Sequence, residues 1–104
     1  MAQNLTGTFV ATGQSVAFRP DGIDDRVGAA FNISLWGTFV ATVTVERSFD
    51  KGTTWLPLTV GGSSSLYTYT APVSETLEEI EADVVYRLNC TAFTSGTVNY
   101  RISS

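Results

Sequence analysis

Residues 29–36 read Ala-Ala-Phe-Asn-Ile-Ser-Leu-Trp, and residues 39–46 read Phe-Val-Ala-Thr-Val-Thr-Val-Glu. In both stretches an apolar residue returns at every second position, which is the spacing of a β-strand with one buried face. The predicted inner faces comprise Phe31, Ile33 and Leu35 in the first strand and Phe39, Ala41, Val43 and Val45 in the second. The two stretches therefore predict two strands joined at Gly37-Thr38.

The composition extends this prediction to the rest of the chain. The 104 residues include 15 Thr and 10 Ser, with many Val, Phe and Tyr. β-Branched and aromatic side chains fit a pleated, half-buried surface and favour strands. A chain of this length builds one hydrophobic core, so residues 1–104 are predicted to form a single domain.

The N-terminal part predicts two more strands. Leu5–Thr12 and Ser15–Phe18 flank Gly13-Gln14, which indicates an opening hairpin or strand pair. The hexapeptide Gly-Thr-Phe-Val-Ala-Thr occurs at residues 7–12 and again at 37–42. A solenoid needs about three stacked units, so one repeat with dissimilar flanks does not indicate one. The repeat is interpreted as a short sequence that recurs in two separate strands.

Turn residues mark the strands of the middle of the chain. Residues 54–59 can return along the 39–46 strand after a turn at residues 50–52, with Pro57 at an edge or strand end. Residues 61–65 are Gly- and Ser-rich and indicate a loop. Residues 66–71 predict a further strand that has Tyr67 and Tyr69 on one face.

The C-terminal part predicts a hairpin. Its first strand, residues 84–93, has an inner face formed by Tyr86, Leu88, Cys90 and Ala92. Thr94-Ser95-Gly96 predicts a tight turn. The inner face of the second strand is formed by Val98, Tyr100 and Ile102. Residues 74–83 fit either a helical turn capped by Ser74 or a short strand anchored by Leu77 and Ile80, and the strand or an irregular segment is favoured.

About eight short strands, with no helical crossovers between them, predict an antiparallel β-sandwich or a jelly-roll-like fold. A parallel α/β fold would need those helices. Residues 1–4, Met-Ala-Gln-Asn, are predicted to serve as an N-terminal arm.

Charge and residue types exclude several functions. The net charge is −4, and a protein that binds the phosphate backbone of nucleic acid needs clustered cations. The chain contains no His, which removes the common base of Ser and Cys nucleophiles. Cys90, the only cysteine, falls on an inner face and is interpreted as a core residue. We expect no enzymatic activity, metal, cofactor, nucleic acid or membrane insertion.

Two acidic clusters are the candidate charged sites. The first comprises Asp21, Asp24 and Asp25, which lack calcium-loop spacing and are interpreted as solvated loop charge. The second comprises Glu75, Glu78, Glu79, Glu81 and Asp83. It is interpreted either as a solvated face or as a surface that meets a basic patch on a partner.

Four aromatic residues are the candidate apolar site: Trp36, Trp55, Tyr67 and Tyr69. Together they could form a sugar-stacking platform. In a domain this small, aromatic residues more often lie in the core or at subunit contacts.

Residues 48–55 read Ser-Phe-Asp-Lys-Gly-Thr-Thr-Trp. They resemble the Asp-box of sialidases, S-x-D-x-G-x-T-W, at all specified positions. The resemblance implies a structural hairpin with Ser48, Asp50, Gly52 and Trp55 as its turn residues: the aspartate bonds the turn backbone, the glycine has a positive φ and the tryptophan packs under the loop. Sialidase propellers need several such boxes, so glycan chemistry is not expected from one.

Residues 43–58, which continue into that hairpin, and residues 85–102, Val-Tyr-Arg-Leu-Asn-Cys-Thr-Ala-Phe-Thr-Ser-Gly-Thr-Val-Asn-Tyr-Arg-Ile, resemble small structural proteins of tailed bacteriophages. The resemblance covers about the C-terminal two thirds of the chain. Residues 1–30 have no recognised counterpart.

The resemblance implies a non-enzymatic virion protein made in the bacterial host cytoplasm and placed on the capsid exterior. The expected role is that of a decoration, or cement, protein that binds the major capsid protein or other virion proteins. A homo-oligomer, dimer or trimer, is expected with it. The alternatives are a tail- or neck-associated or host-recognition module that binds surface glycans, and a glycosidase-like enzyme.

Overall fold

The computed structural model describes residues 4–20, 29–59, 64–81 and 83–104. Within these ranges the chain forms nine strands and no helix, so none of the described segments is a helix able to cross a membrane. The strands are β1 (Asn4–Phe9), β2 (Gly13–Gln14), β3 (Ala29–Trp36), β4 (Phe39–Ser48), β5 (Leu56–Pro57), β6 (Thr68–Tyr69), β7 (Val73–Glu79), β8 (Val85–Gly96) and β9 (Val98–Ser103).

The strands form two antiparallel sheets. Sheet A has the order β1-β9-β3-β7, and sheet B has the order β2-β8-β4-β5, with β6 also paired to β4. The two sheets pack face to face around one core. The predicted all-β sandwich is therefore confirmed, with nine strands in the described residues where about eight were expected.

Alternation of side chains along the strands builds the core. The predicted inner positions of β3, Phe31, Ile33 and Leu35, are all buried. Val43 and Val45 of β4 and all three predicted positions of β9 are buried as well. Aromatic contacts link the sheets: the Phe31 ring lies 4.6 Å from the Tyr86 ring between centroids. The period of two thus predicted the inner faces of β3 and β9 and the Val43 and Val45 positions of β4 correctly.

Four connections in the described residues carry the chain from one sheet to the other, at residues 10–12, 37–38, 70–72 and 97. The registers place all four at the same end of the sandwich, since Phe9 lies opposite Val98, Phe39 opposite Gly96, and Val73 opposite Leu35.. We call these four connections arches, and this end of the sandwich the arch end. Each arch joins strands that occupy matching places in the two sheets: β1 and β2, β9 and β8, β3 and β4, β7 and β6.

Both predicted terminal hairpins are wrong. β1 pairs with β9 and β2 with β8, so residues 10–12 cross between sheets and do not form a hairpin turn. Likewise β8 pairs with β2 and β4, whereas β9 pairs with β1 and β3. A hairpin and an arch have the same alternation and the same short turn, because in both cases every second side chain faces the one core. The sequence pattern alone does not separate them.

The predicted inward position of Ala92 is also wrong. The β4–β8 register skips Thr91 and Thr94, so β8 carries two bulges. Each bulge adds one residue and reverses the alternation beyond it. Ala92 is consequently exposed, and Phe93 packs against the core in its place.

The middle segments behave largely as expected. Residues 73–79 form a strand, β7, which agrees with the favoured interpretation, although Ile80 is 71% exposed and anchors nothing. Pro57 lies in the edge strand β5. The predicted loop at 61–65, the Asp21, Asp24 and Asp25 cluster and residues 1–3 of the predicted arm fall wholly or mostly outside the described residues, and Asn4 begins β1.

Gly96 is the residue that allows the last arch. Its φ is +90°, and a Cβ placed there would lie 2.1 Å from the carbonyl oxygen of Thr38 and 2.7 Å from the Cα of Phe39. The Thr97 amide donates to that same Thr38 carbonyl at 3.0 Å. The two neighbouring arches thus pack backbone against backbone.

We predict that Gly96→Ala lowers the free energy of unfolding by about 2–4 kcal/mol, because the methyl group meets backbone atoms and the positive φ disfavours alanine. Chemical denaturation measures the change. The control is Ser95→Ala at an exposed neighbour, which we expect to change stability by less than about 0.5 kcal/mol. Equal effects of the two variants would contradict the prediction.

Candidate functional site

The residues 48–55 form a hairpin turn held by side-chain bonds to its own backbone. Ser48 Oγ donates to Asp50 Oδ1 at 2.8 Å and accepts from the Gly52 amide at 2.9 Å. The Thr54 amide donates to Asp50 Oδ1 at 2.7 Å. Gly52 has a φ of +93°, and a Cβ placed on it would lie 3.6 Å from the Trp55 ring. These are the roles that the Asp-box resemblance implies.

Hydrogen bonding in this turn affects the acidity of Asp50. The bond from the Thr54 backbone, followed by the bond from Ser48, holds the pKa of the Asp50 carboxyl below its usual range. The charged form of Asp50 therefore serves as an acceptor within the turn. These hydrogen bonds hold the turn. Because the Asp50 carboxyl is ionised near neutral pH, it has no proton to donate there.

A row of bonded polar side chains crosses the outer face of sheet B, and we call it the polar row. Arg87 Nε donates to Glu46 Oε1 at 2.6 Å, and Asn89 Nδ2 donates to Glu46 Oε2 at 3.1 Å. Gln14 Nε2 donates to Asn89 Oδ1 at 3.2 Å. At the other end of the row the Arg87 guanidinium lies 4.4 Å from the Trp55 ring centroid. Cation–π stacking thus ties the row to the hairpin turn.

A second polar cluster joins the two sheets at the end opposite the arches. Arg47 Nε lies 2.5 Å from Glu79 Oε1, and Arg47 Nη2 lies 2.8 Å from Glu79 Oε2. The carboxylate also accepts from the Tyr86 hydroxyl at 2.8 Å and from the amides of Ile80 and Glu81, each at 2.9 Å. Arg47 belongs to β4 in sheet B and Glu79 to β7 in sheet A, so this bidentate pair links the sheets directly.

The cluster shifts the pKa values of its members. Burial by itself raises the pKa of Glu79, but the hydrogen bonds from Arg47, Tyr86 and the Glu81 backbone outweigh it and lower the pKa of this carboxyl. The bond to Glu79 raises the pKa of Arg47, and burial together with Glu79 raises that of Tyr86. At neutral pH the site is therefore a charged pair with a neutral tyrosine.

Arg47 is a site residue that was not predicted from the sequence. Its signal was present, because Arg47 continues the alternation of Val43 and Val45 and so faces inward at the end of β4. A charged residue at an inward-facing position of a strand needs a partner of opposite charge or a hydrogen-bonding group beside it. The sequence could not show that the partner comes from the other sheet.

The predicted acidic cluster at residues 75–83 is divided by the structure. Glu79 is only 3% exposed and bound to Arg47, so its interpretation as a partner-binding residue is wrong. Glu75 is half-buried and accepts from the Tyr69 hydroxyl at 3.2 Å. Asp83 forms an exposed ion pair with Arg19 at 3.4 Å. Glu78 and Glu81 remain as exposed acidic side chains near one end of the sandwich.

The four predicted aromatic residues do not form one platform. Trp36 ends β3 at the arch end and is exposed, whereas Trp55 lies against Arg87 near the opposite end of β4. Tyr69 is buried in the core and Tyr67 is partly buried against it. Burial, followed by the charge of Glu75, raises the pKa of Tyr69. A sugar-stacking platform made of all four side chains is therefore excluded.

Cys90 lies in the core, as the sequence analysis expected. It is 1% exposed, and burial raises the pKa of its thiol. Among the described residues no group of three or more His, Cys, Asp or Glu side chains is placed to hold a metal ion.

Neither a protein-family model, nor a curated protein, nor a solved structure matches this chain.

We predict that Glu79→Gln lowers the free energy of unfolding by about 2–4 kcal/mol, because it leaves Arg47 without a charged partner between the sheets. Chemical denaturation at pH 7 measures the loss. Glu78→Gln is the matched control, since the same substitution one residue away removes an exposed carboxylate and should cost less than about 0.5 kcal/mol. Similar losses in both variants would refute the role of the pair.

The same pair predicts a pH dependence. Because the pKa of Glu79 in the folded protein lies below its ordinary value of 4.5, the unfolded chain binds the proton first as the pH falls. The stabilisation from Glu79 is thus fully present above that ordinary value and is lost as the pH drops through the folded pKa. Denaturation of the wild type between pH 7 and pH values on the order of 3 should show this fall, and Glu79→Gln should show a shallower one. Parallel curves would contradict the assignment.

Proposed function

We propose that this chain is a non-enzymatic structural protein of a bacteriophage virion, and that it acts as a decoration protein on the outside of the capsid. The observation that carries the proposal is the way in which the two phage-like stretches meet. Residues 43–58 and 85–102 are far apart in the sequence, yet Val43 to Ser48 pair with Cys90 to Val85 along the centre of sheet B.

The pairing places the two phage-like stretches side by side in the structure. They supply β4, β5, β8 and β9, including the hairpin turn with Trp55 and the polar row contributed by Glu46, Arg87 and Asn89. Both stretches contribute to the central β4–β8 pair of sheet B, and the second continues into β9 of sheet A; this adjacency supports the proposal.

The chemistry of the described residues supports a binding role. The acidic groups with the closest contacts, Glu46, Asp50 and Glu79, are engaged with side chains or backbone that hold the fold. Each accepts hydrogen bonds from neighbouring side chains or backbone. Exposed acidic side chains, Glu78 and Glu81, are free to face a basic patch on a capsid subunit.

Co-sedimentation with virion heads stripped of the protein tests the proposal. We expect saturable rebinding, in numbers that scale with the number of capsid subunits. Binding to tails or host cells, without binding to heads, would overturn the decoration role in favour of a tail-associated or host-recognition module.

A charge variant tests the proposed contact with the capsid. Glu78→Gln combined with Glu81→Gln should weaken head binding by about two- to tenfold at low salt, because two rim charges are lost. The difference from wild type should shrink at high salt through screening. Rebinding that is the same for both proteins at every salt concentration would remove the acidic contact from the proposal.

A further inference from the structure

Each sheet ends in strands that have a neighbour on one side only among the described residues. In sheet A these are β1 and β7, and in sheet B they are β2 on one side and β5 and β6 on the other. The free side of an edge strand presents unpaired backbone N–H and C=O groups, with which another extended chain can pair. Proteins therefore protect their edges with short strands, prolines, bulges or inward-pointing charges.

All but one of these edge strands carry such protection. β2, β5 and β6 are each two residues long, and β5 contains Pro57. β7 is longer, but it directs two carboxylates inward, Glu75 to the Tyr69 hydroxyl and Glu79 to the Arg47 guanidinium. A strand that paired along β7 would have to place its own inner side chains beside these charges.

β1 has none of these features. Its six residues, Asn-Leu-Thr-Gly-Thr-Phe, include no charged side chain and no proline. All six pair with β9 in an unbroken register, from Asn4 opposite Ser103 to Phe9 opposite Val98, so the strand has no bulge. Within the described part of the chain, β1 is therefore the edge that is open to another strand.

A buried hydroxyl group reaches this open edge. Tyr100 of β9 lies opposite Gly7 of β1, and its ring extends over that glycine. A Cβ placed on Gly7 would collide with the Tyr100 hydroxyl oxygen and would lie 2.6 Å from the ring carbon that carries it, so only glycine leaves the space. The tyrosine thus ends at the strand that has no outer neighbour.

The Tyr100 hydroxyl lacks a partner within the described residues. Tyr100 is only 7% exposed and packs against the Phe9 ring, yet no hydrogen bond joins its hydroxyl to the described part of the chain. Burial raises the pKa of this tyrosine, so the hydroxyl keeps its proton near neutral pH. Because buried polar groups are normally hydrogen-bonded, this group points to a contact from outside the edge.

We propose that β1 is a self-association edge, along which two copies of this chain pair β1 with β1 and join their A sheets into one continuous sheet. Two identical strands that pair in antiparallel orientation are related by a two-fold axis, so the contact closes with two copies. The register that we infer places Gly7 directly opposite Gly7 of the second copy.

The sequence of β1 is complementary to itself in this register. Residues directly opposite each other in an antiparallel pair lie on the same face of the sheet. With Gly7 opposite Gly7, half-buried Leu5 meets Phe9 of the second copy on the inner face, and exposed Thr6 meets Thr8 on the outer face. Apolar side chains therefore meet apolar ones, and hydroxyl groups meet hydroxyl groups.

The same register supplies the missing hydrogen-bond partner. Opposite residues of an antiparallel pair have Cα atoms about 5 Å apart, and neither Gly7 places a side chain between them. Each Tyr100 hydroxyl lies over its own Gly7, so the two hydroxyls come together at the two-fold axis. A hydroxyl both donates and accepts, which makes an identical copy a suitable partner for an unpaired tyrosine.

The charged residue beside β1 does not oppose this contact. Arg101 is the charged residue of β9, and it lies opposite Thr6. Across the joined sheet its row continues through Thr8 and Asn99 of the second copy, which lie opposite each other in the structure. The two arginines therefore stand in different rows of the sheet and do not face each other.

Sedimentation equilibrium of the purified chain tests this inference. It needs no virion heads, so its failure is separate from failure of the decoration proposal. We expect the wild type to dimerise in the micromolar range. Thr8→Lys should raise the dissociation constant at least about tenfold, because it places a charge on the pairing edge. Thr76→Lys is the matched control, since it makes the same change at an exposed position of β7, the other edge of sheet A; it should alter the constant by less than about threefold.

Tyr100→Phe tests the hydroxyl contact. It removes an oxygen that has no partner in the described residues, so the melting temperature of the dilute monomer should not fall, whereas the dissociation constant should rise about three- to tenfold. Tyr86→Phe is the control, because its hydroxyl is bonded to Glu79 within the fold. That variant should lower the melting temperature and leave the dissociation constant unchanged.

Cysteine cross-linking tests the register. Thr6 lies opposite Thr8 of the second copy with about 5 Å between their Cα atoms, whereas the two Thr8 residues, like the two Thr6 residues, are about 8 Å apart, beyond the reach of about 7 Å that a disulfide allows. An oxidised mixture of Thr6→Cys and Thr8→Cys should therefore give a linked dimer, and neither variant should do so alone. The natural Cys90 is buried and does not compete.

Wild-type protein that remains an 11.2 kDa monomer at several hundred micromolar would overturn the inference, as would a dimer that Thr76→Lys weakens as strongly as Thr8→Lys. Thermal unfolding of both variants establishes that the fold is retained. A disulfide formed by Thr6→Cys alone would show Thr6 opposite Thr6 and overturn the contact between the Tyr100 hydroxyls. A monomer whose binding to virion heads is weakened by Thr8→Lys and Tyr100→Phe would assign the edge to an extended segment of a capsid subunit, and would overturn self-association.

Discussion

Thr97 is the single residue between β8 and β9, and it carries the chain from one sheet to the other. So short an arch brings the backbones of two connections together, since the Thr97 amide bonds the Thr38 carbonyl and Gly96 leaves no room for a Cβ. This close approach aligns β8 under β9 and β4 under β3. The stacking of the four central strands, and with it the core between them, depends on that contact.

At the opposite end of the sandwich an ion pair holds the two sheets together. There the sheets are joined through the Arg47–Glu79 pair, with Tyr86 and two backbone amides completing the coordination of the carboxylate. A buried pair adds little net stability compared with apolar packing, but it is costly to break and it accepts only one geometry. The arches thus hold the spacing of the sheets at one end, and the ion pair fixes their register at the other.

The two ends of the sandwich differ in the charged residues that they contain. Charged residues gather at the ion-pair end, where most of the described ones are bonded within the fold and Glu78 and Glu81 remain exposed. The four arches contain no charged residue, although Glu75 lies only two residues along β7 from Val73, and Val10, Trp36 and Val40 are exposed near the arches.

The sequence by itself determined the fold class and the inner faces of β3, β4 and β9 and of β8 as far as Cys90, because alternation with a period of two is a local property that burial imposes on each strand separately. It also indicated the turn at residues 48–55, whose Ser48 and Asp50 bonds are local. Only the tertiary structure decided which strands pair, since an arch and a hairpin have the same pattern. The tertiary structure also decided which side chains of β8 face inward after Thr91, because a bulge reverses the alternation there. It likewise decided that the partner of Arg47 comes from the other sheet. Glu78 and Glu79 are neighbours in the sequence, but adjacent residues in a strand face opposite sides of the sheet. Glu79 is therefore buried in an ion pair between the sheets, whereas Glu78 is exposed to solvent.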